Sequence, residues 1–211
     1  MKFRIQAFVI TIALLGLVGV FSWNQRDGRQ NGQSEKNELG VSAVKSASSE
    51  TVGSEIARYK GVPAYQNGSK VTQSHGRHYA KDGYYYGQKW QCVEYVKRFY
   101  FDGLGHRMPS VWGHARDFFD PEVAHGKINP ARGLVQYQNG QNVAPKPDDL
   151  LVFRFGSLGH VAIVTRVTND SVEVIQQNVS GHPMSVYPLT NSGGMYTVGK
   201  SRKPAGWLRV P

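Results

Sequence analysis

The chain has 211 residues, with 25 Lys and Arg against 15 Asp and Glu, for a formal charge of +10. Ten prolines, 24 glycines and 11% aromatics suit one loop-rich globular domain with tail to spare, and they exclude a chain disordered throughout. No long basic block or base-reading motif occurs, so no nucleic-acid partner is expected, whereas a basic surface is still drawn to an anionic envelope polymer.

Lys2 and Arg4 precede a run without charge from Ala7 to Trp23. A short positive region before such a run reads as an export signal, and its length suits either an uncleaved membrane anchor or a cleaved signal. The positive-inside bias places the rest of the chain outside the cytoplasm, periplasmic or extracellular, or secreted if the signal is cleaved. Residues 24–54 are rich in Ser, Gly, Asn and Gln and read as a flexible polar tether. Residues 55–211 form the expected folded head and keep 19 Lys and Arg against 11 Asp and Glu.

Within the head, Val93, Val96 and Phe99 or Tyr100 recur at helical spacing, so Gln91–Phe101 is expected as an amphipathic helix closed by Gly103 and Gly105. Arg107–Phe119 reads as a loop leading into a second short helix, and Asn129–Pro147 as turn-rich. Leu150–Phe155, His160–Val167 and Val172–Asn178 read as strands, with Ala205–Val210 a closing strand. A helix followed by antiparallel strands is an α+β layout.

Cys92 is the only cysteine. In the first turn of the expected helix, unpaired N–H groups and the helix dipole favour a thiolate, which is the nucleophilic form. The alternative is a small buried hydrophobe. A thiol nucleophile needs a base. His160 stands at the head of a strand, where it is held rigidly and still reaches a cleft. His75 and His78 lack partners at metal-site spacing and read as loop residues, so no metal is expected.

The next strand supplies the orienter for the imidazole. A two-residue turn at Asn169-Asp170 puts Gln177 on the His160 face, whereas a three-residue loop puts Gln176 and Asn178 there. Turn chemistry alone does not choose between them.

Gln91-Cys92 opening a helix, Gly159-His160-Val161-Ala162-Ile163-Val164 downstream, and Gln177-Asn178 after the next strand together resemble the CHAP domain, the cysteine, histidine-dependent amidohydrolase/peptidase family with a papain-like fold. Gly61–Gly68, Lys89–Tyr95 with Arg98-Phe99, and Gly206-Trp207 are similar to the amidase domain of glutathionylspermidine synthetase/amidases. The resemblance spans residues 55–211. It implies an amino-terminal helix carrying the Cys packed on an antiparallel sheet carrying the His, with Cys92 as nucleophile forming a thioester and His160 as general base, then acid. It places the orienter at the Glu of a Glu-Gln-Asn triplet, which reads Gln176-Gln177-Asn178 here. Gln176 is therefore the expected orienter, with Asn178 as the alternative, and the amide orients the ring without supplying charge.

The Cys92 backbone N–H and the Gln91 side chain are the expected oxyanion donors. Tyr84, Tyr85, Tyr86, Trp90 and Trp112 are placed either to line a substrate groove or to fill core. No cofactor is implied. The expected activity is hydrolysis of amide bonds in peptidoglycan peptides. The alternatives are a glutathionylspermidine-type amidase, which a basic surface and an external location disfavour, and a non-catalytic wall-binding relative.

Overall fold

Runs of Val, Ile, Leu and Phe with period-two alternation build most of the architecture, seen in a computed structural model that describes residues 41–43, 51–180 and 182–211. The expected anchor or signal at 1–23 lies outside the described residues, as does most of the tether at 24–54. Three tether residues, Val41–Ala43 (β1), pair antiparallel with β2 (Glu55–Tyr59), and β3 (Val62–Tyr65) completes a three-stranded sheet. β4 (Arg77–Tyr79) and β5 (Tyr85–Gln88) form a hairpin that leads into α1 (Cys92–Arg98). A wider π-turn at Phe99–Gly103 continues α1, so the expected helix is present with its last turn loosened. A short 3₁₀ turn, Ala115–Phe118, takes the place of the expected second helix.

The remaining strands are β6 (Lys127–Asn129), β7 (Leu134–Gln138), β8 (Leu150–Phe153), β9 (His160–Val167), β10 (Ser171–Ile175), β11 (Met184–Ser192), β12 (Met195–Val198) and β13 (Gly206–Arg209). They form one antiparallel sheet in the order β12-β11-β10-β9-β8-β13-β7-β6. The class is α+β, with one short α-helix among the described residues and mainly antiparallel sheet. No helix among them is long and apolar enough to cross a membrane.

Alternation along β8 sends Leu150 and Val152 to one face of the sheet and Leu151 and Phe153 to the other, and all four are buried. On the first face, α1 and its continuation bring Tyr95, Val96, Phe99 and Tyr100 against Leu150, Val152, Val161, Ile163 and Leu208. Each such side chain, fully buried, contributes roughly 1.5–3 kcal/mol. On the second face, Trp207, Leu189 and Val198 pack with Leu151, Phe153 and Val164. A Gln141–Tyr196 bridge and the Asn139 side chain's bonds to Val198 tie β12 back to the β7 end. The sheet thus curls around its second core, which protects the β12 edge.

α1 departs from the amphipathic expectation. Glu94, Lys97 and Arg98 are as buried as its apolar residues, because the β4–β5 hairpin and the 109–114 segment cover the side that would otherwise face water. Each buried charge has a partner there: Glu94 accepts from Arg98 and His78, and Lys97 donates to the Val111 carbonyl at 2.8 Å.

The β9–β10 pairing resolves the register. Thr168 N–H donates to Ser171 O, Val167 lies opposite Val172, and Arg166 lies opposite Glu173, as a two-residue turn requires. The register then shifts by one, so that Val164 lies opposite Val174 and Ile163 opposite Ile175. This bulge at Thr165 reverses the facing that the turn alone dictates and puts Gln176 on the His160 face.

Candidate active site

Two glycines let the backbone close around the site. Gly87 sits at φ +145° with α1 directly against it, and a Cβ there would lie 3.1 Å from Glu94 Cα. Gly159, at φ +72°, would place a Cβ 2.5 Å from the Phe153 carbonyl oxygen and 2.6 Å from Arg116 N. The close approach of the Ala115–Phe118 turn to the head of β9 therefore requires glycine immediately before His160.

Cys92 is the first residue of α1, and its thiol is buried. Gln91, with ψ 157°, is the extended N-cap residue. The backbone N–H groups of Val161, the neighbour of His160, and of Val93 and Cys92 itself act to lower the pKa of the thiol. The nucleophile and the head of β9 open onto the same cleft. Burial pushes the thiol up to about 11, against the opposing pull of those N–H groups. This corrects the expectation that the helix terminus lowers it, because loss of water around the sulfur outweighs the dipole of a seven-residue helix. Burial also lowers the His160 pKa, opposed by its bond to Gln176. Both effects favour a neutral thiol beside a neutral imidazole in the resting site.

His160 Nε2 and Gln176 Oε1 are 2.9 Å apart. The Gln176 Nε2 donates to the His182 carbonyl at 3.0 Å and to Ser185 Oγ at 2.8 Å. A carbonyl only accepts, so the amide nitrogen faces His182 and the amide oxygen faces the ring. His160 Nε2 therefore carries the proton, and Nδ1 is left as the free lone pair.

The next two residues hold the other side of the site. Gln177 Nε2 donates to the Gln91 carbonyl at 3.0 Å and to Glu94 Oε2 at 2.7 Å, and its Oε1 accepts from Tyr65 N. Burial works to raise the Glu94 pKa, but hydrogen bonds from His78, Arg98 and Gln177 and the Arg98 charge hold it below its usual value. Asn178, at φ +63°, donates to Gln91 Oε1 at 2.6 Å and to Val71 O at 2.7 Å, and it accepts from Asn67 Nδ2. Asn178 is thus committed to Gln91 rather than to His160, and among the described residues Gln176 alone hydrogen-bonds the imidazole. Gln91 Nε2 spends one hydrogen on the Gln73 carbonyl and keeps a second.

Cys92, His160, Gln91, Gln176 and Asn178 all line one cleft of about 770 Å³. Of the aromatic candidates, Tyr85 and the exposed Trp112 line it. Tyr86, Trp90 and Tyr84 do not. The Tyr86 hydroxyl donates to Asp102, Trp90 packs on Tyr65 and His78, and Tyr84 stacks on Phe101. All three are structural. Phe155, Leu158, Tyr187 and Arg202 complete one wall. Sequence reading missed these four because they come from turns and an outer strand with no catalytic motif around them. It missed Glu94 as well, although a carboxylate two residues after the nucleophile was the available signal. No group of three or more His, Cys, Asp or Glu side chains among the described residues is placed to hold a metal.

Residues 82–178 match the family model of the CHAP domain, a stretch that opens before Cys92 and ends on Asn178. These residues belong to the CHAP domain family. The bifunctional glutathionylspermidine synthetase/amidase of Escherichia coli (strain K12) is 36% identical over 111 residues, which cover 49% of this chain and 17% of that protein. The trypanothione synthetase of Crithidia fasciculata is 26% identical over 164 residues, covering 71% of this chain and 25% of that protein. The glutathionylspermidine synthase of the same organism is 35% identical over 101 residues, 44% of this chain and 14% of that protein. The chain therefore spans a quarter or less of each of these relatives. Together with the CHAP match, the amidase relatives support a cysteine amidohydrolase.

Proposed function

We propose that this CHAP protein is an exported or membrane-anchored cysteine amidohydrolase that hydrolyses amide bonds in peptidoglycan peptides. The carrying observation is the His160 tautomer, because Gln176 holds the Nε2–H and leaves Nδ1 free on a residue that lines the same cleft as Cys92. The apolar run from Ala7 to Trp23 behind Lys2 and Arg4 and the +10 charge support an external location beside an anionic wall.

In this reading the Cys92 sulfur attacks the amide carbon as His160 Nδ1 takes the thiol proton. The developing oxyanion is held by the Cys92 backbone N–H and the free hydrogen of Gln91 Nε2. Collapse breaks the C–N bond, and the imidazolium returns its proton to the leaving nitrogen. His160 then deprotonates a water that attacks the thioester, which releases the acid and restores the thiol. Because both groups rest neutral, proton transfer accompanies attack instead of preceding it.

The second reading, suggested by the names of the bacterial relatives, is cleavage of glutathionylspermidine. Its leaving group is a polycation, and none of the described residues lining the cleft is Asp or Glu. Digestion of purified sacculi by the full chain, followed by mass spectrometry of the soluble products, tests the choice. Peptide fragments with new amino and carboxyl ends are expected. Cleavage of glutathionylspermidine with intact sacculi would replace the first reading by the second. Binding to sacculi with neither substrate cleaved would make the protein a wall-binding relative.

A further inference from the structure

Arg202 lines the cleft with its guanidinium 5.6 Å from the centre of the Phe155 ring. Among the described residues no carboxylate pairs with it. Of the described lining residues it is the only Lys, Arg, Asp or Glu, and the rest are apolar, neutral polar or histidine. Its side of the cleft is defined by a chain of rings. His160 lies 6.1 Å from Phe153, which lies 6.2 Å from Phe155 and 5.2 Å from Tyr187. Phe153 packs on the face of the sheet opposite α1, so these rings bring Arg202 to the cleft from the His160 side and not from the α1 side.

That placement has a chemical meaning once the proposed reaction is accepted, on which this inference rests. The acyl oxygen sits against Gln91 and the Cys92 N–H, and the leaving nitrogen must reach His160 to be protonated. Groups on the His160 side therefore face the amine-side fragment. We propose that Arg202 is a specificity-determining residue that binds a free carboxylate on the leaving fragment, with the Phe155 ring beside the guanidinium. A planar guanidinium meets a carboxylate through two parallel N–H···O bonds, a geometry that neither an amide nor an ammonium can match. An amino acid or peptide released with its carboxylate is accepted, and a polyamine leaving group is repelled.

The test uses the full chain and one muropeptide stem in two forms, with its carboxyl groups free and with them amidated, alongside Arg202→Ala and Arg202→Glu. Wild type is expected to favour the free acid by roughly fivefold in kcat/KM, the scale of an exposed charge-assisted pair. Arg202→Ala should bring the acid down to the level of the amide, with the loss falling on KM, and Arg202→Glu should invert the preference. Equal kcat/KM for the two forms in wild type, or an undiminished preference in Arg202→Ala, overturns the subsite and leaves the amidohydrolase reading standing. Cleavage of neither form by wild type overturns both.

Discussion

Gln176 presents its amide oxygen to His160 Nε2 at 2.9 Å because its amide nitrogen is held by the His182 carbonyl at 3.0 Å. That second bond explains how a neutral amide serves here. A glutamate would turn one carboxylate oxygen against a carbonyl oxygen, so the pocket is built for an amide. Gln176→Glu is expected to raise the His160 pKa and move the acid limb of kcat/KM to higher pH, while costing about 1–3 kcal/mol of stability. Gln176→Ala should lower kcat roughly 10- to 100-fold with little change in KM, because the ring loses its orientation. Steady-state kinetics across pH and urea unfolding of both variants check these outcomes.

The resting protonation states set the pH profile. His160 acts as a base only when neutral, and burial lowers its pKa from 6.5, so kcat/KM should fall only below that pH. The thiol is pushed up to about 11, so no preformed thiolate–imidazolium pair is lost on the alkaline side. A plateau from about pH 7 to about pH 9 is expected. Cys92 is the only cysteine, so alkylation reports on it alone. Labelling by iodoacetamide near pH 7 should be slower than for a free thiol and should climb with pH. Rapid labelling at pH 7 would indicate an ion pair at rest.

Trp112 and Tyr86 separate cleft from core. Trp112 is 67% exposed and lines the cleft, so Trp112→Ala should raise KM several-fold and leave unfolding nearly unchanged. Tyr86→Phe removes the hydroxyl that bonds Asp102 and should cost about 1 kcal/mol without altering KM.

Lys97 makes stability pH-dependent. Burial lowers its pKa from 10.5 to about 7, assisted by the Arg132 charge and opposed by Glu94, with the Tyr84 and Tyr85 rings packed against its ammonium. Between about 7 and 10.5 the unfolded chain holds a proton that the folded one has shed, so this group adds stability as pH rises through that window. Below about 7 both states are protonated and the burial cost is felt in full. Lys97→Met should therefore compare best with wild type near pH 6 and progressively worse toward pH 10. Urea midpoints at the two pH values provide the check.

The parts of the site that follow local rules were legible in the chain. Cys92 at a helix start and His160 at a strand head follow from hydrophobic period and turn residues, and the CHAP likeness rests on those same segments. Gln176 was reached through family resemblance, since turn chemistry alone left Gln177 open against Gln176 and Asn178. The deciding element is the bulge at Thr165, a packing feature with no signature in the local sequence. β7 was hidden for a related reason. Its inward Gln136 is satisfied by the Asp120 and Val123 carbonyls, which breaks the apolar alternation that marks a strand. Tyr86 and Trp90 were indistinguishable from groove residues in sequence, because an aromatic side chain suits core and cleft equally.

If Cys92 and His160 act together on an amide, kcat/KM on one muropeptide substrate for wild type, Cys92→Ala and His160→Ala will show it. Each variant should lose roughly a thousandfold or more while still unfolding cooperatively. Cleavage by either variant at the wild-type rate would show that the two residues do not act as a nucleophile and its base.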